Sequence, residues 1–175
     1  MATDVQGTRD PEREAAADSD GDRAGRHTVT VHLRTAPSGP AARRQQAVLE
    51  RVRALESRDD APEFSVERWG AQVNVPVGDT DHDAGAVDLY EEFRTAVESV
   101  DGRLEPFFET REAVGGLLSA GPPTDRTIVF PVVCLTVRED GDLTGLYPHW
   151  SDGAHHSVED GLAALAAGAT GANLC

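Results

Sequence analysis

The sequence predicts an α+β domain, a mixed sheet of four to five strands with two to three helices on one face, in the order β-α-β-α-β-β-β-α. Two observations lead there. Short runs alternate apolar and polar residues, and longer runs between them repeat apolar residues at helical spacing. Proline- and glycine-rich breaks separate the two kinds of run.

Residues 1–26 lack apolar periodicity and carry seven carboxylates, Asp4, Asp10, Glu12, Glu14, Asp18, Asp20 and Asp22. The composition predicts a disordered acidic arm, and the folded domain is expected over 27–167 with a frayed tail at 168–175. The first strand follows from Val29, Val31 and Leu33 alternating with Thr28, Thr30 and His32. After Pro37-Ser38-Gly39-Pro40, residues 41–58 form a helix, because Val48, Val52 and Leu55 share one stripe. Phe64 and Val66 mark a second strand running to Trp69-Gly70. Residues 74–83 are expected to be loop. A helix over 84–100 buries Leu89, Tyr90, Phe93, Val97 and Val100, with Asp83 as N-cap and Gly102 as its stop. Residues 104–114 read as a strand through Phe108 and Thr110, or as a short helix. The apolar run 127–138 is a central strand, with a bulge or local edge where Pro131 has no N–H to donate. Asp140-Gly141 is a hairpin signal that pairs it with 143–147. Ser157-Val158-Glu159-Asp160 is a capping box, with Asp in the Glu place, that opens the last helix.

Charge narrows the function classes. The chain of 175 residues has 31 acidic and 16 basic side chains, a net charge of −15, and every basic residue is arginine. Such a surface repels itself in dilute buffer, and molar salt shortens the screening length to about 3 Å. A salt-in halophile with a GC-rich genome is the expected source. The acidic, polar first residues are not those of a secretory signal, and no run approaches the ~18 apolar residues of a membrane span. The expected location is therefore the cytoplasm. Cys134 and Cys175 read as free thiols in a reducing compartment, Cys134 as a small core residue.

The charge is unevenly placed. Residues 23–58 hold eight arginines against Glu50 and Glu56, giving +6, so the rest of the chain carries −21. On the first helix Arg44, Arg51 and Arg58 recur every seven residues and form one stripe, flanked by Arg43 and Arg53. Regularly spaced arginines can track nucleic-acid phosphates, so DNA is a candidate partner of this helix; the alternative is a solvated face whose arginines pair with acidic patches elsewhere on the fold. Another protein or a second copy of the chain is the other kind of partner considered.

Ligand and metal chemistry has one candidate location, the loop at 149–156. There His149, Asp152, His155 and His156 are potential zinc ligands or the lining of a small-molecule site. Asp79 to Asp83 and Asp18 to Asp22 start like calcium loops, but lack the glycine and the bidentate glutamate that such loops need. The chain has no GxSxG, no GxxxxGK[ST] and no GxGxxG after a strand. The reading is accordingly a non-enzymatic protein without a cofactor.

Several phrases resemble a family of small haloarchaeal proteins. They are Arg43 to Leu55, Glu63-Phe64-Ser65-Val66 with Trp69-Gly70, Leu104 to Glu112, Val129 to Leu135, Glu139 to Leu143, and Ser151-Asp152-Gly153 with Val158-Glu159-Asp160. The resemblance spans about residues 28–166. The family carries the generic label of helix-turn-helix domain protein, which implies DNA binding and transcriptional regulation. Two helices joined by a short turn would be the matching motif. The residues after the first helix instead read as a strand. A helical reading of 105–118 would supply a second helix of such a pair, with Glu105, Glu109 and Glu112 against one Arg111.

Overall fold

The computed structural model describes residues 27–76, 84–112 and 124–174. Its main sheet has four strands in the order β2-β1-β6-β7, formed by β1 (His27–Arg34), β2 (Glu63–Trp69), β6 (Val133–Glu139) and β7 (Asp142–Tyr147). Only β1 and β2 run parallel, joined by α1 (Gly39–Glu56) as crossover, so the sheet is mixed. A second sheet has the order β3-β5-β4, from β3 (Gln72–Pro76), β4 (Glu109–Glu112) and β5 (Thr124–Val129). Helix α2 (Ala84–Glu98) lies between β3 and β4 in the chain. A short hairpin, β8 (His149–Ser151) with β9 (Ala154–His156), precedes α3 (Val158–Ala166).

The main sheet is buried on both faces, which gives two cores. On one face Val29, Val31, Leu33, Val133, Leu135 and Val137 meet Val48, Val52 and Leu55 of α1 and Val158, Leu162 and Leu165 of α3. These are the two helices that share a face, and Ser157 caps α3 with the capping box the sequence indicates. On the other face Cys134 and Leu146 meet Trp69, Ile128, Phe130 and Phe108, with Tyr90, Phe93 and Val97 of α2. The aromatic residues there pack edge to face, Phe93 on Phe108 at 6.0 Å and Trp69 on Phe108 at 5.9 Å between ring centroids. Strand β6 serves both cores, so its residues are buried without alternation.

The expected single strand over 127–138 is two strands in two different sheets. Pro131 has no N–H for a ladder, so the chain leaves β5 at Phe130 and enters β6 at Val133. The carbonyls stranded at this break are met from outside it. The Trp69 indole N–H donates to Pro131 O at 3.2 Å, and the buried Gln45 amide donates to Val132 O at 3.0 Å and Arg34 O at 2.8 Å. Residues 72–76, which read mostly as loop, are strand β3; Val73 and Val75 pack against the second core. Residues 104–114 divide: Leu104 to Phe108 make a turn, and β4 takes Glu109 to Glu112. The expected N-cap Asp83 with the rest of 79–83, the acidic arm with Asp18 to Asp22, and Cys175 lie outside the described residues.

The tail expected to fray lies along β7. Asn173 and Leu174 donate to Thr144 O at 2.9 and 3.1 Å, the Asn173 side chain brackets Leu146, and Tyr147 Oη donates to Gly171 O at 2.9 Å. Gly102 stops α2 for a reason other than left-handed backbone. Asp101 takes the positive φ of 52°, while a Cβ on Gly102 would sit 2.5 Å from Trp150 O.

His32 is a buried polar residue at the second core. Its ring stacks on Trp69 at 4.9 Å, Nε2 lies 3.1 Å from Thr136 Oγ1, and Nδ1 lies 3.3 Å from Glu67 Oε2. Burial, with a smaller contribution from Arg138, lowers its pKa to about 4. The Glu67 carboxylate opposes this weakly, because it is solvent-exposed. The unfolded chain therefore binds this proton more readily, near pH 6.5, than the folded one. Stability from this residue is complete above about pH 6.5 and is lost as pH falls towards 4, by about 3 kcal/mol at most. Melting curves between pH 7 and 4 should show His32→Gln losing less stability on acidification than the parent; parallel losses would refute this assignment.

Candidate functional site

Helix α1 and the turn that follows it carry the five arginines singled out by the sequence, and all of them are exposed. The apolar stripe of α1 faces the sheet, so its arginines occupy the flanks and the outer surface. The structure divides them. Arg44 pairs with Glu159 in the first turn of α3 at 3.1 Å. Arg58 lies 3.6 Å from Asp60 and donates to Ala166 O, at the end of α3, at 2.5 Å. These two members of the stripe tie α1 to α3. Arg43, Arg51 and Arg53 have no hydrogen-bond or ion-pair partner among the described residues.

Four arginines elsewhere, Arg94, Arg111, Arg126 and Arg138, are matched with carboxylates. Arg138 makes a two-pronged contact with Glu92 at 2.7 Å for each prong, which holds the guanidinium above its ordinary pKa. Arg94 and Arg126 both reach Glu91, at 2.5 and 2.6 Å, and Arg111 reaches Glu109 at 2.6 Å. Acids outnumber bases almost two to one in the chain, yet Arg43, Arg51 and Arg53 on one helix are unpaired among the described residues.

The histidine loop is the β8–β9 hairpin. Asp152 and Gly153, with φ of 51° and 71°, form its two-residue turn. The same Asp-Gly signal marks 140–141, so the dipeptide makes this hairpin legible in the sequence and corrects the loop reading of 149–156. Strand alternation separates the four candidate ligands. His149 and His156 stack on one face at 4.6 Å, while His155 lies on the other against Phe107 at 4.7 Å and Trp150 at 5.6 Å. Asp152 is exposed at the tip. No group of three or more His, Cys, Asp or Glu able to hold a metal ion occurs among the described residues.

His149, Ser151 and His156 instead form a hydrogen-bonded chain. His149 Nδ1 lies 2.7 Å from Leu146 O, and a carbonyl only accepts, so Nδ1 carries the proton. Nε2 then accepts from Ser151 Oγ at 3.2 Å, and His156 Nε2 donates to that Oγ at 2.9 Å. Burial, reinforced by His156 and His155, lowers the His149 pKa against the pull of the Leu146 carbonyl, so the ring is neutral at pH 7. This chain orders the hairpin that leads into α3. Cys134 is fully buried, and burial pushes its thiol well above the ordinary value.

Two clefts adjoin these regions. One of about 430 Å³ opens between the C-terminal ends of α1 and α3, with Leu55, Arg58, Pro62 and Leu165 in its wall. Another of about 310 Å³ lies at the hairpin turn, beside Asp101, Arg103, Trp150 and Asp152.

A family model described as a helix-turn-helix domain matches residues 21–170. No curated protein matches the chain. No solved structure matches it. In the described residues no two helices are joined by a short turn: β2 and β3 separate α1 from α2, and six strands separate α2 from α3. The helical reading of 105–118 fails where it is visible, because Glu109–Glu112 is strand.

Proposed function

Because the chain belongs to this helix-turn-helix domain family, we propose that it is a regulatory protein that contacts DNA, through the outer face of α1. The observation that carries the reading is the set of exposed arginines Arg43, Arg51 and Arg53, unpaired among the described residues of a strongly acidic protein. Guanidinium groups make two-pronged hydrogen bonds to phosphate, and this short-range term survives where salt screens the net charge. The remaining surface repels DNA at low ionic strength. A salt-rich cytoplasm, which the composition favours, is where the contact is expected to operate. Here α1 packs on the sheet beside α3, with no short turn joining it to another helix among the described residues, so the expected contact is with phosphates more than with base edges. No helix among the described residues is long and apolar enough to cross a membrane.

The test measures retention of duplex DNA from 0.1 M to multi-molar KCl. Arg43→Ala, Arg51→Ala and Arg53→Ala together should weaken binding at least ~10-fold and flatten the salt dependence by about one unit of slope per arginine. Arg44 and Arg58 are left in place, because they hold α1 to α3. Equal binding by the triple variant, or no binding by the parent at any salt, rejects the proposal.

A further inference from the structure

We propose that the chain forms a two-fold dimer by antiparallel pairing of β2 with β2 of a second copy, making one continuous eight-stranded sheet. The proposal stands on the geometry of the sheet edges and does not depend on DNA binding.

The two edges of the main sheet differ. At β7 the chain's own tail takes up the edge, through Asn173 and Leu174 on Thr144 O. At β2 the only ladder is to β1, and its outer side has no partner among the described residues. Which backbone groups face outward is fixed by one hydrogen bond. Trp69 O accepts from Thr35 N at 2.8 Å, on the β1 side. Along a strand successive residues point their N–H and C=O to opposite sides. Glu63, Ser65 and Glu67 therefore share the direction of Trp69, and Phe64, Val66 and Arg68 present theirs outward. A run of unpaired groups like this is a template for another strand. On the same strand stands Val66, 48% exposed, the large apolar residue left uncovered among the described residues.

Side-chain charge selects a second copy and its register. Only registers that match outward groups with outward groups can bond. If Ser65 faces its own copy, Glu63 falls opposite Glu67. If Glu67 faces its copy, two carboxylates meet, and centring on Arg68 opposes two guanidinium groups. Centring on Phe64 opposes no like charges but sets Val66 against Pro62, which has no N–H to donate, whereas centring on Val66 avoids every directly opposed like charge and keeps all outward pairs within the strand. Val66 then meets Val66 of the second copy, Phe64 meets Arg68, and Ser65 meets Glu67. Arg68 has no ion-pair partner among the described residues, and here its guanidinium lies beside an aromatic ring. The outward pairs at 66 with 66, and 64 with 68 in both directions, give about six backbone hydrogen bonds. Such an interface is isologous and closes on itself, so it stops at two copies. It also covers the exposed valine and places both α1 helices on one face of the joined sheet, because Val66 lies on the α1 side, next to Val31.

Sedimentation of the full chain in molar KCl over a range of concentrations tests this. The parent should be a dimer that dissociates on dilution. Val66→Pro removes an N–H that points to solvent in the single chain, so far-UV circular dichroism should be unchanged while the dimer is lost. Val66→Glu, which brings two carboxylates together at the two-fold, should weaken association at least tenfold, and Val66→Ile should retain it. Ser65→Arg fixes the register: opposite Glu67 it tightens the dimer, whereas opposite itself it loosens it. A parent chain that stays monomeric at the highest concentration, dimers of Val66→Pro or Val66→Glu as stable as the parent's, or a dimer loosened by Ser65→Arg, overturns the proposal.

Discussion

Val52→Asp should leave the domain unfolded, or lower its melting temperature by at least ~10 °C. Val52 is 2% exposed in the core between α1, α3 and the sheet. The substitution removes an apolar side chain worth about 1.5–3 kcal/mol of burial and replaces it with a carboxylate that has no partner there. The combined loss exceeds about 4 kcal/mol, against the total stability of about 5–15 kcal/mol typical of such a domain. Ala47→Asp is the matched control, because Ala47 is exposed on the same helix. It should shift the melting temperature by no more than a degree or two. Thermal unfolding followed by circular dichroism checks both; similar melting of Val52→Asp and Ala47→Asp would mean that α1 does not pack by this stripe.

Phe93→Ala should cost about 3–5 kcal/mol through the opposite core. Phe93 is fully buried, with Phe108 and His32 each at 6.0 Å between ring centroids. The cavity it leaves is walled by rings and strands that cannot collapse without moving α2. Because β6 faces both cores, the two should melt together, and Phe93→Ala should lower the single transition rather than split it. Two separated transitions would show that the cores are independent. A loss below about 1 kcal/mol would show that α2 is not seated as described.

Most helices and the first strands were legible because their signals are local. The stripe Val48, Val52 and Leu55 is the buried face of α1, and Ser157 with Asp160 is the cap of α3. The alternation of Val29, Val31 and Leu33 gives β1, whose other face His32 takes. The Asp-Gly pair at 140–141 turns β6 into β7. The arginine stripe was equally readable as spacing. Its division into Arg44 and Arg58 as ties and Arg43, Arg51 and Arg53 as unpaired charges was not, because Glu159 and Ala166 are more than 100 positions away from their partners.

The sequence by itself determined the acidic, lysine-free composition, the secondary elements with strong local periodicity, and the placement of positive charge on one helix. The tertiary structure decided what those elements share. It split the apolar run at Pro131 between two sheets, since whether a strand without an N–H bends or changes partners depends on which neighbours accept its stranded carbonyls. It set His155 apart from His149 and His156, because hairpin pairing assigns faces. Among the described residues it also left β2 with an open edge and β7 with a covered one, because backbone hydrogen bonds between distant segments are written in no single stretch of residues.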